Sequence, residues 1–330
     1  MSDELTVLRD EFPEYRIWRE VTPGRSRYIA RSRYQGGSPH TVVTGQVTEL
    51  RDALELGGHL VATQPASFSA TEPNIARMYG YWLQEKDHYA ADRAAADAIT
   101  EQFPEVAAIA RANRAFLGRA VRFAARLGIR QFLDLGCGLP ISPNVHEIAQ
   151  WADPGARVVY VDHDPVVLAH ARALLAADEN VSVVAGDIRD PGGLLRSKAF
   201  NQGIDTDAPV CVLLASVLHF LAPDEADSAV AAYRAWMPPG SYLVISAGTS
   251  TGTDPELIRC LQDSYGEAAP VTGRTESEIA AWFDGLALAR PGLADVWAWR
   301  PEGLQPTVPG RARFLAGAGR KTTADLGWAP

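Results

Sequence analysis

Cysteine is scarce in this chain: three residues, at positions 137, 211 and 260, in a length of 330. They form neither a disulfide framework nor a pair at metal-ligand spacing, so a reducing compartment is expected and no metal site. A basic excess is also lacking. Thirty-one Lys and Arg against 40 Asp and Glu leave a net charge of −9, whereas general nucleic-acid binders are usually basic, so no nucleic-acid partner is expected. No run is apolar enough for a membrane: Val210 to Leu221 is about half the ~20 residues that a spanning helix needs. The opening Met1-Ser2-Asp3-Glu4 has no basic segment followed by an apolar one, so no signal peptide is expected, and the cytoplasm is the expected location. Internal repeats and low-complexity tracts are absent. At this length, 47% hydrophobic and 22% charged residues suffice for an ordinary globular core in one large or two smaller domains.

Residues 1–63 read as a small α+β extension. Tyr15 to Val21, Arg25 to Tyr34 and Thr41 to Val43 are strand candidates, with Pro23-Gly24 and Gly36-Gly37 as turns. Val47 to Leu56 reads as a short helix closed by Gly57-Gly58, and Gln64 to Ser69 as a linker. Arg25, Arg27, Arg31 and Arg33 are interleaved with Tyr28 and Tyr34. A partner-binding patch is one reading; a solvated hairpin face is preferred in so acidic a chain.

Residues 71–127 are helical. Thr71 is placed to cap the first helix, with Pro73 in its first turn. After Pro104, apolar Val106, Ile109, Ala110, Phe116, Leu117, Ala120, Val121 and Ala124 recur at helical spacing until Gly128. Strands and helices then alternate. Strands are predicted at Phe132 to Leu135, Arg157 to Val161, Val181 to Ala185, Val210 to Ala215 and Ser241 to Ala247. Helices are predicted to open at Ser142-Pro143, Asp164-Pro165, Pro223 and Asp254-Pro255, with another over Ser277 to Phe283. Leu286 to Arg290 and Arg313 to Ala318 are further strand candidates. This order predicts a doubly wound, mostly parallel α/β sheet with ligands at its strands' carboxyl ends.

One glycine is missing where it matters. The first strand runs into Asp134-Leu135-Gly136-Cys137-Gly138, a turn that lets backbone approach a ligand closely. A dinucleotide turn would carry a third glycine, but Ile141 stands there. An acid inside the strand suits a cationic ligand end better than a diphosphate, and S-adenosylmethionine has such an end. Asp162 closes the second strand, where a carboxylate can accept hydrogen bonds from ribose hydroxyls. Asp187, followed by apolar Ile188, closes the third and suits an adenine amino group and ring. The fourth ends in Ala215-Ser216-Val217-Leu218-His219-Phe220. Singly, each aspartate could be a cap or turn residue; their succession along one sheet edge argues for a ligand.

Other stretches make the likeness specific. They are Pro73-Asn74-Ile75-Ala76-Arg77-Met78-Tyr79, Lys86-Asp87-His88-Tyr89-Ala90-Ala91-Asp92-Arg93, Arg111-Ala112-Asn113-Arg114-Ala115-Phe116-Leu117, Asn144-Val145-His146-Glu147, Val159 to Pro165, Val217 to Phe220 and Gly317-Ala318-Gly319-Arg320-Lys321. With the glycine turn, the chain resembles a class I S-adenosylmethionine-dependent methyltransferase, and more narrowly the actinobacterial S-adenosyl methyltransferase family once called a domain of unknown function. The resemblance spans roughly residues 70–320. It implies a seven-stranded Rossmann-like sheet whose last two strands form an antiparallel hairpin, with Arg313 to Ala318 beside strand five. The domain is expected over 64–330, with a helical cap at 64–128 and the core at 129–330. Two departures stand out: Gly80 replaces the family's aspartate, and Gln84-Glu85 its glycine pair.

The resemblance implies a donor site of Asp134, Gly136, Gly138, Asp162, His163, Asp187, Ile188 and Ser216. Tyr79, Lys86, Asp87 and His88 are expected to shape a lid or acceptor pocket, their alternative being helix surface and packing. Arg111 and Arg114 hold the lid or make surface ion pairs. Methyl transfer from a sulfonium needs mainly positioning and exclusion of water. Where the acceptor loses a proton, His219 is the candidate base by its pKa range and position. Cys137 is a small, shape-filling residue. The expected activity is methylation of a small molecule, in specialised metabolism; the alternatives are a non-catalytic S-adenosylmethionine-binding regulator and, more distantly, a dehydrogenase.

Overall fold

The structure, a computed structural model, describes residues 4–22, 25–33, 41–44, 46–48, 50–51, 54, 71–175, 178–265, 271–303 and 310–322. The chain divides into two compact units, Met1–Phe68 and Ser69–Pro330.

In the first unit, helix α1 (Glu4–Glu11) precedes strands β1 (Tyr15–Thr22), β2 (Arg25–Ser32) and β3 (Thr41–Thr44), which form one antiparallel sheet in that order. Strand alternation sends Tyr15, Ile17 and Ala30 inward against Leu8, Leu50 and Leu54. Residues 47, 48, 50, 51 and 54 are helical, and the rest of the helix expected there lies outside the described residues, as do Tyr34 and the linker at 64–69. Arg27, Arg31 and Arg33 are exposed, and Arg33 Nε donates to the Tyr15 carbonyl. The hairpin face is solvated.

The second unit begins with three helices: α2 (Ile75–Trp82), α3 (Ala90–Gln102) and α4 (Val106–Arg126). Its sheet holds β4 (Gln131–Leu135), β5 (Arg157–Asp162), β6 (Val181–Ala185), β7 (Cys211–Ala215), β8 (Tyr242–Thr249), β9 (Leu286–Leu288), β10 (Ala294–Asp295) and β11 (Arg313–Lys321). The order across it is β6-β5-β4-β7-β8-β11, with β9 and β10 both along the outer edge of β11. The five strands β4 to β8 are parallel and β11 runs antiparallel beside β8. The expected hairpin is therefore present, but two short strands share the position expected for one. The sheet has eight strands among the described residues.

Both sheet faces are covered, so side chains on both sides of each parallel strand are apolar. One face packs Leu133, Val159, Val212 and Ile245 against α7 (Pro191–Arg196), α8 (Lys198–Gly203), α9 (Pro223–Trp236) and α11 (Glu276–Ala281). The other packs Phe132, Val158, Leu213 and Val244 against α4, α5 (Val145–Ala152) and α6 (Pro165–Leu174). A third cluster joins Met78, Trp82, Ile99, Phe103 and Ile109 of the helical cap to Leu257 of α10 (Pro255–Tyr265).

Two helix starts differ from expectation. Helix α2 opens not at Thr71 but after Asn74, whose Oδ1 accepts the Arg77 N–H; Pro73 lies before the helix. Helix α5 opens not at Ser142-Pro143 but after Asn144, whose N–H is accepted by Glu147. In both, an Asn cap displaced an upstream cap-and-proline signal. The starts at Asp164-Pro165, Pro223 and Pro255 stand as expected.

Candidate active site at the carboxyl edge of the sheet

The ends of β4, β5, β6 and β7 open into a cavity of about 620 Å³. Cap residues from α2 and α4 form its opposite wall, with Leu261 and Tyr265 of α10 and Phe314 of β11.

The turn after β4 is held by β5. The amides of Gly136 and Cys137 donate to the Val161 carbonyl at 2.9 and 3.1 Å, and that of Gly138 to Asp162 Oδ2 at 3.0 Å. These N–H groups are thus spent within the fold instead of being presented to a phosphate. That arrangement disfavours the dinucleotide reading. Gly136 has φ +69°, and a Cβ there would come within 2.6 Å of Val217 Cγ1. Gly138, at φ +64°, is likewise left-handed. Glycine is needed at 136 on both counts.

Asp134 is 5% exposed, and among the described residues nothing hydrogen-bonds its carboxylate. Burial pushes its pKa up to about 7, against the opposing pull of Arg114. A buried carboxylate at a cavity wall without a partner is costly unless a cation reaches it. Asp162 accepts the Asp164 N–H on Oδ1 and the Gly138 N–H on Oδ2, both at 3.0 Å. Each oxygen retains further acceptor capacity. Burial raises its pKa, and those two backbone donors oppose the shift. The exposed His163 side chain stands 3.7 Å from Asp162 Oδ1. Asp187 is held by Arg189 in a two-pronged ion pair at 2.6 and 3.0 Å. Burial would raise its pKa, but the Arg189 hydrogen bonds outweigh burial and leave it lowered. Ile188 lies beside it, and Ser216, at φ +61°, follows the last residue of β7. All eight residues expected for the donor line this one cavity.

His219 also lines it, 9% exposed, in a short helical turn over Leu218–Phe220. Neither ring nitrogen has a hydrogen-bond partner among the described residues, and Nδ1 is sealed from solvent. Burial lowers its pKa to about 4, so the ring is neutral near physiological pH. Its centroid lies 4.2 Å from that of Phe220 and 5.6 Å from that of Phe314.

Of the cap residues expected near the acceptor, Tyr79 reaches the cavity, and its hydroxyl donates to the Ala110 carbonyl at 3.0 Å. Lys86, Asp87 and His88 are not among the lining residues. Lys86 and Asp87 are exposed, and His88 packs edge-on against Tyr81 and meets Arg93. The turn after α2 carries them to the surface, so the structure does not bring them to the site. Arg111 and Arg114 bond backbone instead of carboxylates: Arg111 meets the Trp82 carbonyl, and Arg114 those of Ile141 and Pro143. Burial, with Asp162 and Asp134 nearby, raises the Cys137 thiol well above its usual pKa, keeping it neutral.

Two polar groups of the site were not singled out from sequence. Asn113 is buried at the cavity wall, donates to the Tyr79 hydroxyl and accepts from Ser246 Oγ at 2.6 Å. Asn74 donates from its backbone to Asp92 and from its side chain to Asp164, tying the cap to the loop after β5. Asp92 is fully buried in an ion pair with Arg77 at 2.8 Å. Among the described residues no group of three or more His, Cys, Asp or Glu could hold a metal ion.

The sequence profile of the S-adenosyl methyltransferase family matches residues 61–322. The chain belongs to that family. It is an S-adenosylmethionine-dependent methyltransferase, which selects the enzyme over the non-catalytic regulator and the dehydrogenase. A solved structure described as a putative methyltransferase from Thermobifida fusca YX is 41% identical to it. The match covers 79% of this chain and 99% of that one, with a TM-score of 0.72. A DUF574 family protein from Streptomyces avermitilis MA-4680 is 35% identical, covering 76% and 98%, with a TM-score of 0.71. No curated protein matches the chain. No helix among the described residues of this methyltransferase is long and apolar enough to cross a membrane.

Proposed function

We propose that this methyltransferase acts on a small-molecule acceptor, in specialised metabolism, and that the residues at the sheet edge divide between donor and acceptor. Asp134 would hold the ammonium of S-adenosylmethionine, Asp162 its ribose hydroxyls, and Asp187 with Ile188 its adenine. Gly136, Gly138 and Ser216 would shape the backbone around the methionine end, with His163 at the rim. The observation that carries this reading is the Asp134 carboxylate, buried and without a partner at the cavity wall. When bound, S-adenosylmethionine supplies a methyl group on a positively charged sulfur. The protein's part is then to position the acceptor, exclude water and take up a proton where the acceptor loses one.

His219 is proposed to take up that proton, because its imidazole is neutral and its nitrogens uncommitted. Tyr79, tied to Asn113 and Ala110, would present a fixed wall to the acceptor. Lys86, Asp87 and His88 take no part in this reading. The activity is assigned to residues 64–330, with 64–128 as cap and 129–330 as core, leaving 1–63 as an extension. The test is calorimetric titration with S-adenosylhomocysteine. Asp162→Ala should weaken binding at least about tenfold, the worth of a charge-assisted hydrogen bond. Unchanged affinity would reject the ribose assignment.

A further inference from the structure

The acceptor side of the cavity has a chemical character of its own. Beyond the aspartates, its walls are Trp82, Phe103, Ile109, Leu261, Phe220 and Phe314. The charged groups that line the cavity are already engaged or belong to the strand ends. Arg114 is bonded to two carbonyls, Arg189 to Asp187, and Arg313 to Glu276 and Asp295. Glu225 accepts the Ala222 N–H at the start of α9. Asp134, Asp162, Asp164 and Asp187 stand at the ends of β4, β5 and β6. A formal charge lodged among these apolar walls, away from Glu225 and the strand-end aspartates, would therefore be desolvated without a counter-ion among the described residues.

Uncommitted polarity does exist there. His219 has no partner for its ring nitrogens, and the Tyr265 hydroxyl forms no hydrogen bond among the described residues. Both sit in a row of rings: Phe314 to His219 at 5.6 Å, His219 to Phe220 at 4.2 Å, and Phe220 to Tyr265 at 5.4 Å. Successive rings are tilted or edge-on to one another, and such a wall suits an aromatic ligand through offset and edge-to-face contacts. A cavity of about 620 Å³ that must take donor and acceptor together limits the acceptor to a small molecule.

We infer that the acceptor is an uncharged aromatic hydroxyl compound, bound along the Phe314–His219–Phe220–Tyr265 row with its hydroxyl at His219. This rests on the donor assignment above and adds the acceptor's class to it. As the acceptor oxygen forms its new O–C bond, the S–C pair stays with the sulfur and neutralises it. The O–H proton passes to His219, which returns it to water after the products leave. A protonated amine would have to shed its proton first, and a carboxylate would have to desolvate; the apolar walls offer neither a counter-charge.

The test uses the full chain saturated with S-adenosylhomocysteine and four probes of one ring system, read by calorimetry: naphthol, naphthalene, naphthoate and naphthylmethylammonium. Naphthol is expected to bind at least about tenfold more tightly than either charged probe, and about fivefold more tightly than naphthalene. His219→Phe should erase the advantage of naphthol over naphthalene while S-adenosylhomocysteine affinity holds. Leu261→Glu should weaken naphthol and strengthen the ammonium probe. If either charged probe matches or outbinds naphthol in the unaltered chain, the acceptor class is overturned while the donor site stands. If naphthol and naphthalene bind alike, the hydroxyl assignment is overturned. Failure of S-adenosylhomocysteine to bind at all would instead overturn the donor assignment, and this inference with it. Should a variant not fold, the probe comparison in the unaltered chain decides alone.

Discussion

Asp134 and His219 make opposite demands on pH. Burial raises the folded pKa of Asp134 to about 7, so between its unfolded value and that point the folded chain holds the extra proton. Its contribution to stability is greatest at low pH and is lost as pH rises through that window. For His219, burial lowers the folded pKa to about 4. The unfolded chain then holds the extra proton between about 4 and 6.5, so stability falls as pH drops. The two slopes cancel in part. Asp134→Asn removes only the first, and urea denaturation near pH 8 should show a variant more stable by on the order of a few kcal/mol. The same variant should lose donor affinity, because the amide has no charge to offer an ammonium. In the unaltered chain, donor affinity should rise with pH up to about 7 and then level off as Asp134 ionises; a flat profile measured by calorimetry would contradict its pairing with the ammonium.

At the scale of elements, the glycine turn and the cap make separable predictions. Gly136→Ala adds both a left-handed strain and a contact with Val217, and thermal unfolding should show a loss of about 2–4 kcal/mol. Adding Val217→Ala should recover the steric part only. In the cap, Asp92 accepts from Arg77, from the Asn74 N–H and from the Tyr89 N–H. Asp92→Ala removes the buried carboxylate that Arg77, Asn74 and Tyr89 share, a loss of about 3–5 kcal/mol. Hydrogen exchange should quicken in α2 and α3 before it does in β4 to β8. Helix starts were legible where a cap residue and proline act locally, as at Asp164-Pro165 and Asp254-Pro255. They were not at Asn74, whose cap is chosen by tertiary bonds to Asp92 and Asp164. Strand β10 has two residues, too few for any period. The residues proposed for the donor were visible because each lies within or just after an apolar strand. The apolar part of the cavity was not: Asn113 meets Ser246 across 133 positions, and Phe314 and Tyr265 reach His219 and Phe220 from distant elements.

At the scale of the molecule, the family match over 61–322 and the compact unit Ser69–Pro330 point to one catalytic body. Residues 64–330 produced alone should bind S-adenosylhomocysteine within about twofold of the full chain; a larger loss would give residues 1–63 a part in the site. The cavity at the carboxyl edge of β4 to β7 is proposed to hold S-adenosylmethionine through its three aspartates. Calorimetric titration of the full chain with S-adenosylhomocysteine tests it most directly. One site per chain with micromolar affinity, weakened at least about tenfold by Asp134→Asn and by Asp162→Ala, is the result predicted. Absence of binding up to millimolar ligand, or binding that ignores both substitutions, would contradict it.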